Sequence, residues 1–201
     1  MSMKFDVIVN GPLEVNTYLV FNGVGECYLI DPGYDGDKIY KIVKKHDVKV
    51  KAILLTHGHF DHIGATNYLV NLFKCPVYLH PLDFKMVKSP SLNYSIAFNQ
   101  PISLDVELSD ITKLNNPEIE IIHTPGHSKG SISIYFKKDK LLFSGDTLFN
   151  KGVGRTDLYG GNEVELNKSI NKLLLLDEDV MVLPGHGEAT TILEEKLNRS
   201  I

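Results

Sequence analysis

Leu54-Leu55-Thr56-His57-Gly58-His59-Phe60-Asp61-His62 crowds three imidazoles and a carboxylate together directly after the apolar run Lys51-Ala52-Ile53-Leu54-Leu55. Neutral imidazole nitrogen and carboxylate oxygen are ligands that suit zinc, iron and manganese, so the residue types point to a transition metal. A zinc-binding helix carries two histidines one turn apart on one face. His57 and His59 instead flank the single residue Gly58, a spacing that suits an extended loop leaving a strand. Asp61 and His62 then open an amphipathic helix from His62 to Phe73 marked by Ile63, Leu69, Leu72 and Phe73, and Asp61 is also placed to serve as its N-cap.

The 201 residues allow one domain with a full hydrophobic core, spanning 1–201. A composition of 43% hydrophobic and 23% charged residues belongs to ordinary globular proteins. The formal net charge is -4 and no Lys or Arg run stands out, which argues against nucleic acid as a partner. The start Met1-Ser2-Met3-Lys4-Phe5-Asp6 has no apolar signal core, and no apolar run reaches membrane-spanning length, so no membrane partner and a cytoplasmic location are expected. Cys27 and Cys75 lie in or beside strand-like runs and read as buried thiols.

Along the chain, residues 4–9, 16–21 and 27–30 read as strands, with Asn22-Gly23 as a hairpin signal. The third strand ends in Asp31-Pro32-Gly33, a turn that leaves the Asp31 carboxylate at a strand's C-terminal end. Ile39, Ile42 and Val43 give a helix with one apolar face, and His46 at its basic end faces solvent. Strand 51–55, helix 62–73 and strand 76–80 alternate, which implies parallel pairing. His80, before Pro81, suits an orienting or structural role better than ligation. Residues 89–100 have no clean period and read as a loop, either a cover for a site or a surface connection. Strands resume at 118–123, 131–136, 141–144 and 180–183, with a hairpin turn at Lys137-Lys138-Asp139-Lys140 and helices at 164–176 and 189–197.

Three more ligand-type residues follow apolar strands, each directly after a glycine: His127 in Pro125-Gly126-His127-Ser128, Asp146 in Ser144-Gly145-Asp146-Thr147, and His186 in Pro184-Gly185-His186-Gly187. Glycine permits a sharp turn and close approach, which aims the next side chain from a sheet edge into a cleft. Together with His57, His59, Asp61 and His62 they make seven ligand candidates, too many for one tetrahedral site and suited to two adjacent metals.

The pattern His57-x-His59-x-Asp61-His62, then His127, Asp146 and His186, resembles the metallo-β-lactamase superfamily. Asn16-Thr17-Tyr18, Asp31-Pro32-Gly33, His123-Thr124-Pro125-Gly126-His127-Ser128 and Gly154-Arg155-Thr156-Asp157 extend the match over nearly the whole chain. The resemblance implies an α/β fold, a four-layer αββα sandwich with two metals at one edge of the sheets. It also implies that His57, His59 and His127 bind one metal, that Asp61, His62 and His186 bind the other, and that Asp146 bridges them. Zinc is the expected metal, with iron or manganese as substitutes.

Within the superfamily the chain is similar to short, single-domain bacterial glyoxalase II-like hydrolases, through Gly185-His186-Gly187, Thr190-Thr191-Ile192 and Glu195-Lys196. The implied activity is hydrolysis of a small-molecule thioester or ester, of the hydroxyacylglutathione hydrolase type. Two cations sharing a water leave hydroxide at neutral pH to attack a metal-polarised carbonyl, with Asp61 orienting it and accepting its proton. Glyoxalase II proper carries a further C-terminal helical domain that holds glutathione, so glutathione is expected to be a poorly held carrier here. Asp31 is a candidate to hydrogen-bond a ligand imidazole, or is simply a turn former. Arg155 and Asp157 either pair with each other or line the cleft.

The resemblance also extends to persulfide dioxygenases, in which one iron would be held by His57, His127 and Asp146. RNA-processing members share the His-rich loop, but the chain lacks a basic patch for that role. The common β-lactamase form has Cys at the position of Asp146, and the flavo-diiron branch has Glu at that of His59, so neither pattern is met.

Overall fold

The structure, a computed structural model, describes residues 4–199. The first half builds a six-stranded sheet from β1 (Lys4–Asn10), β2 (Val15–Phe21), β3 (Glu26–Ile30), β4 (Lys49–Leu54), β5 (Val77–Leu79) and β6 (Leu108–Asp110), in that spatial order. β1, β2 and β3 pair antiparallel, whereas β3 to β6 pair parallel through helical crossovers, as the strand-helix alternation predicts. The helices of this half are α1 (Gly36–Lys45), α2 (Phe60–Ile63), α3 (Thr66–Phe73) and α4 (Phe84–Val87).

The second half contributes β7 (Ile119–His123), β8 (Ile132–Phe136), β9 (Leu141–Gly145), a small hairpin of β10 (Leu148–Phe149) and β11 (Gly152–Val153), α5 (Glu163–Leu173), β12 (Met181–Pro184), β13 (Thr190–Thr191) and α6 (Ile192–Arg199). Its five-stranded sheet runs β13-β12-β9-β8-β7. The Asn162 side chain caps α5 by accepting from the Glu165 N–H at 3.0 Å, and acidic residues in the first turn with Lys172 in the last complement the helix dipole.

Three apolar layers hold these parts together. Ile39 and Val43 of α1 and Leu69 of α3 pack on Leu19, Leu29 and Ile53 of the first sheet. Tyr18, Val20, Ile30 and Leu54 on its other face meet Ile132, Ile134, Phe143 and Leu183 of the second sheet. Leu142 and Val182 on the far face of that sheet are covered by Leu166, Ile170 and Leu173 of α5 and Ile192 of α6. The result is the four-layer αββα sandwich. Double coverage explains why β2, β8 and β9 read as nearly unbroken apolar runs rather than as alternation.

The structure corrects some local expectations. The helix expected over 62–73 is two helices, interrupted at Gly64 and Ala65, because the Ala65 N–H turns to donate to the Pro32 carbonyl at 2.9 Å. Asp61 is not the N-cap. His59 occupies that position in extended conformation, which leaves the Asp61 carboxylate in the first turn and free to face the site. The β2–β3 hairpin has a longer loop than a two-residue Asn-Gly turn, with the Asn22 side-chain oxygen accepting from the N–H groups of Val24 and Glu26. β6, β13 and the β10–β11 pair are too short for periodicity to reveal. Cys27 and Cys75 are buried free thiols. Among the described residues, no helix is long and apolar enough to cross a membrane.

Phe143 stands at the centre of the inter-sheet layer, 1% exposed, with its ring centroid 4.9 Å from Tyr18 and 5.6 Å from Phe136. Phe143→Ala is expected to lower unfolding free energy by about 3–5 kcal/mol in urea titration, because the cavity it leaves lies between two sheets that cannot collapse into it.

Candidate metal centre

The C-terminal ends of β3, β4, β7, β9 and β12 meet at one edge of the sandwich, and each delivers a polar side chain there. β3 leads to Asp31, β4 to His57 and His59, β7 to His127, β9 to Asp146 and β12 to His186. Asp61 and His62 come from α2.

The glycines before the last three ligand candidates act by different means. Gly126 and Gly145 have φ of 135° and 50°, a region disfavoured for other residues. Gly185 is needed for space: a side chain there would run into the Asp146 carboxylate and the His62 ring.

The ligand candidates fall into two lobes. Atoms of His57, His59 and His127 lie within 4.8 Å of one another, and so do atoms of Asp61, His62 and His186. Asp146 reaches both lobes. Its Oδ1 is 3.3 Å from His62 Nε2, while its Oδ2 is 3.5 Å from His127 Nε2 and 3.7 Å from His186 Nε2. Asp61 Oδ2 lies 3.2 Å from His186 Nε2, and the Nε2 atoms of His62 and His186 approach to 3.3 Å.

Four of the five imidazoles are pinned from behind through Nδ1. His62 Nδ1 donates to Asp31 Oδ2 at 2.9 Å, His127 Nδ1 to the Arg155 carbonyl at 2.8 Å and His186 Nδ1 to the Leu13 carbonyl at 2.9 Å. The Thr56 hydroxyl donates to Asp31 Oδ2 at 2.6 Å, so His57 Nδ1, 3.1 Å from that hydroxyl, must be the donor to it. In each ring the bond at Nδ1 leaves Nε2 facing the centre. His59 differs, presenting Nδ1 to His127 Nε2 at 2.8 Å. The Nε2 atoms of His57 and His59 and the Oδ1 of Asp146 are buried and unpartnered, which fits a cation among them.

The electrostatics ask for the same charge. Burial pushes His57 well below the usual histidine range and His59 down to about 3, so both are neutral imidazoles. Burial also opposes charge on His62, but Asp146, Asp61 and Asp31 more than reverse this and hold it well above that range. Burial pushes Asp146 up, yet His62, His127 and His57 outweigh it and keep the carboxyl well below its ordinary value. A proton on His62 thus answers the two carboxylates where a divalent cation would serve better.

Asp31 fills both roles the sequence suggests. It sits at φ 48° in its turn, and its carboxylate accepts from His62 Nδ1, the Thr56 hydroxyl and, at 2.7 Å, the Thr56 N–H. The second buried acid, Asp83, escaped the sequence reading. Its Oδ2 accepts from the Gly58 N–H at 3.0 Å and the Ser128 hydroxyl at 2.6 Å, and its Oδ1 from the Gly130 N–H at 2.8 Å. It therefore ties the His57–His59 loop to the His127 loop. Burial raises its pKa, and those three donors hold the rise back. The available signal was its position in the turn after β5, where strand ends collect site residues.

His80 lies apart from the cluster. Its ring stacks on His123 with centroids 4.4 Å apart and its Nδ1 accepts from the Leu82 N–H, which fits the structural role. Arg155 and Asp157 form a two-pronged ion pair, with both contacts at 2.7 Å. Arg155 also lines the cleft. That cleft is a cavity of about 310 Å³ above the two lobes, with His59, Asp61, His127, Asp146 and His186 at its floor. Phe60, Tyr94, Phe98, Leu13 and Leu158 form its walls, so residues 89–100 contribute to the site.

Residues 10–186 match the family model described as metallo-beta-lactamase superfamily. The chain is 40% identical to the probable metallo-hydrolase YqgX of Bacillus subtilis, over 96% of this chain and 95% of that protein. It is 33% identical to the hydroxyacylglutathione hydrolase GloC of Haemophilus influenzae, over 96% and 95%. Among solved structures, BLEG-1 B3 metallo-beta-lactamase superposes with a TM-score of 0.89 at 40% identity, covering 96% of both chains. TTHA1623 in a di-iron-bound form gives 0.89 at 37% identity, covering 95% and 96%. ETHE1 from Myxococcus xanthus gives 0.74 at 28% identity, covering 96% and 81%. The sandwich, the two-lobed His and Asp cluster at its edge and a match over most of the sequence lead to one conclusion: this chain belongs to the metallo-beta-lactamase superfamily.

Proposed function

We propose that this protein is a binuclear metal-dependent hydrolase of small-molecule thioesters and esters, a reaction class that takes in the one named for the relative GloC. The observation that supports this reading best is the second lobe. Asp61, His62 and His186 are gathered beside His57, His59 and His127, and His62 has its own buried carboxylate partner in Asp31, an arrangement that suits two metals; persulfide dioxygenases share most of this pattern, so metal content and oxygen uptake separate the two readings. The di-iron-bound relative supports double occupancy. Zinc is the metal we assign, since imidazole and carboxylate ligands around an open position suit it, with iron or manganese as substitutes.

When bound, the cations would acidify a water and polarise the substrate carbonyl. The chain's own residues supply the rest. Asp146 approaches both lobes and would offset the repulsion between two cations held there. Asp61 opens to the cavity, and although burial pushes its carboxyl up, His62 and His186 bring it below its ordinary value, so it is ionised and ready to accept the attacking water's proton. As the new C–O bond forms and the C–S bond breaks, that proton passes to the departing sulfur.

Elemental analysis of protein purified without added metal is expected to give close to two metals per chain. Asp146→Ala should lose at least one of them together with hydrolysis, and retention of both with near-normal turnover would remove its bridging role. Asp83→Asn puts an NH2 group against one of three donors. Zinc titration should show about 10–100-fold weaker binding at the lobe of His57, His59 and His127, with the other lobe less affected.

The hydrolase reading is tested with one metal-analysed sample. Oxygen-free assays on thioesters, a penicillin assay and aerobic assays on glutathione persulfide separate it from its competitors, the last kept in view by the likeness to ETHE1. Thioester cleavage is expected, with kcat falling roughly 10²–10⁴-fold in metal-replete Asp61→Asn. Oxygen uptake with persulfide, one iron per chain and intact thioesters would replace this reading with the dioxygenase.

A further inference from the structure

The cavity walls carry information about the substrate that the metal ligands do not. Residues 89–100 form a built platform. Asn93, fully buried, donates from its side chain to the Ile102 carbonyl at 2.8 Å, accepts from the Ser95 N–H at 3.0 Å, and offers its own carbonyl to the Phe60 N–H at 3.1 Å. Ser95, also fully buried, accepts from the Ile102 N–H at 2.9 Å and donates to the Pro90 carbonyl at 3.2 Å. These bonds hold a single 3₁₀ turn, Ser95–Phe98, between Tyr94 and Asn99, which stand at φ 72° and 55°. Unfavourable backbone angles fixed by buried side chains are a mark of positions held for a purpose.

What the platform holds is aromatic surface. Phe98 lies against Phe60 with centroids 4.6 Å apart, and Tyr94 meets Phe98 edge-on at 6.2 Å. Tyr94 and Phe98 are still 38% and 40% exposed, on the side that lines the cavity. The Phe60 N–H bond ties this wall to the turn that carries His59 and Asp61, so wall and metal lobes keep a fixed relation. Leu13 and Leu158 add further apolar lining.

Among the described residues lining the cavity, Arg155 supplies the one Lys or Arg charge, and Asp157 grips that guanidinium with both carboxylate oxygens. A carrier with several charges, such as glutathione, would have to compete with Asp157 for it and lay its carboxylates on phenyl rings. We propose that the substrate of this site carries an uncharged aromatic or bulky aliphatic group beside the scissile carbonyl, seated on Phe60, Tyr94 and Phe98. This rests on the hydrolase reading above and names the substrate class within it. A preformed apolar wall favours such a group without the cost of ordering a loop.

The test uses metal-loaded protein and three thioesters: S-lactoylglutathione, the lactoyl thioester of benzyl mercaptan, and the phenylacetyl thioester of methanethiol. Both uncharged substrates should show KM values roughly tenfold or more below that of S-lactoylglutathione. Phe98→Ala, at a partly exposed position, should raise those two KM values roughly tenfold with a smaller change in kcat, and raise KM for the glutathione thioester far less. Asp157→Ala, which frees the guanidinium, should lower KM for the glutathione thioester only. Calorimetry with a ketone isostere of the benzyl thioester, CH2 replacing sulfur, reads the same wall without turnover. A lower KM for S-lactoylglutathione than for either uncharged substrate, or equal effects of Phe98→Ala on all three, would overturn the proposal. Cleavage of the thioesters together with isostere binding that ignores Phe98 would sink the apolar site and leave the hydrolase standing. Phe98-dependent isostere binding with no cleavage of any thioester would do the reverse.

Discussion

Four imidazoles turn their Nε2 atoms toward one another because each gives its Nδ1 proton to a fixed acceptor behind it: Asp31, the Thr56 hydroxyl and the carbonyls of Arg155 and Leu13. This outward anchoring is the constraint on which the site depends. Ring nitrogens and carboxylate oxygens gathered in a dry environment are unfavourable without positive charge among them, so the anchors hold a cluster that a proton on His62 or a metal cation stabilises. The anchors come from the ends of different strands, which means that the site exists only when both sheets are in register.

The sandwich is tied together at that edge. The Tyr18 hydroxyl and the Asn16 side chain, both from β2, donate to the Pro184 carbonyl at 2.6 and 3.0 Å, and the Asn16 side chain also reaches the Gly187 carbonyl at 2.9 Å. The Ile132 N–H at the start of β8 donates to the Thr56 carbonyl at 2.9 Å. These bonds cross from one sheet to the other beside the ligand candidates, while Phe143, Leu54 and Ile134 close the space beneath them. Packing thus sets the distance between the lobes, and hydrogen bonds set their orientation.

The site is polar below and apolar above. Its floor carries the His and Asp cluster, and its walls are built on residues 60, 94 and 98. The Arg155–Asp157 pair shows how both levels meet in one short segment: the Arg155 carbonyl anchors His127, and its guanidinium stands at the cavity with its charge already matched.

By itself the sequence determined the family, the order of most strands and helices, and the group of residues that gathers at the sheet edge. Ligand chemistry needs particular side chains after particular strands, and both are visible in a linear string. Only the tertiary structure decided which partners those side chains keep. The Asp31 carboxylate turned out to serve both its turn and His62, a matter of side-chain direction that a turn signal does not encode. Asp83 was invisible because its three donors, Gly58, Ser128 and Gly130, lie far from it in sequence. The break at Gly64 and Ala65 follows from a bond to Pro32, and the aromatic wall from a loop with no period, held by buried Asn93 and Ser95. Local pattern reports what each segment prefers alone, whereas hydrogen bonds and packing between distant segments form only once the chain has closed on itself.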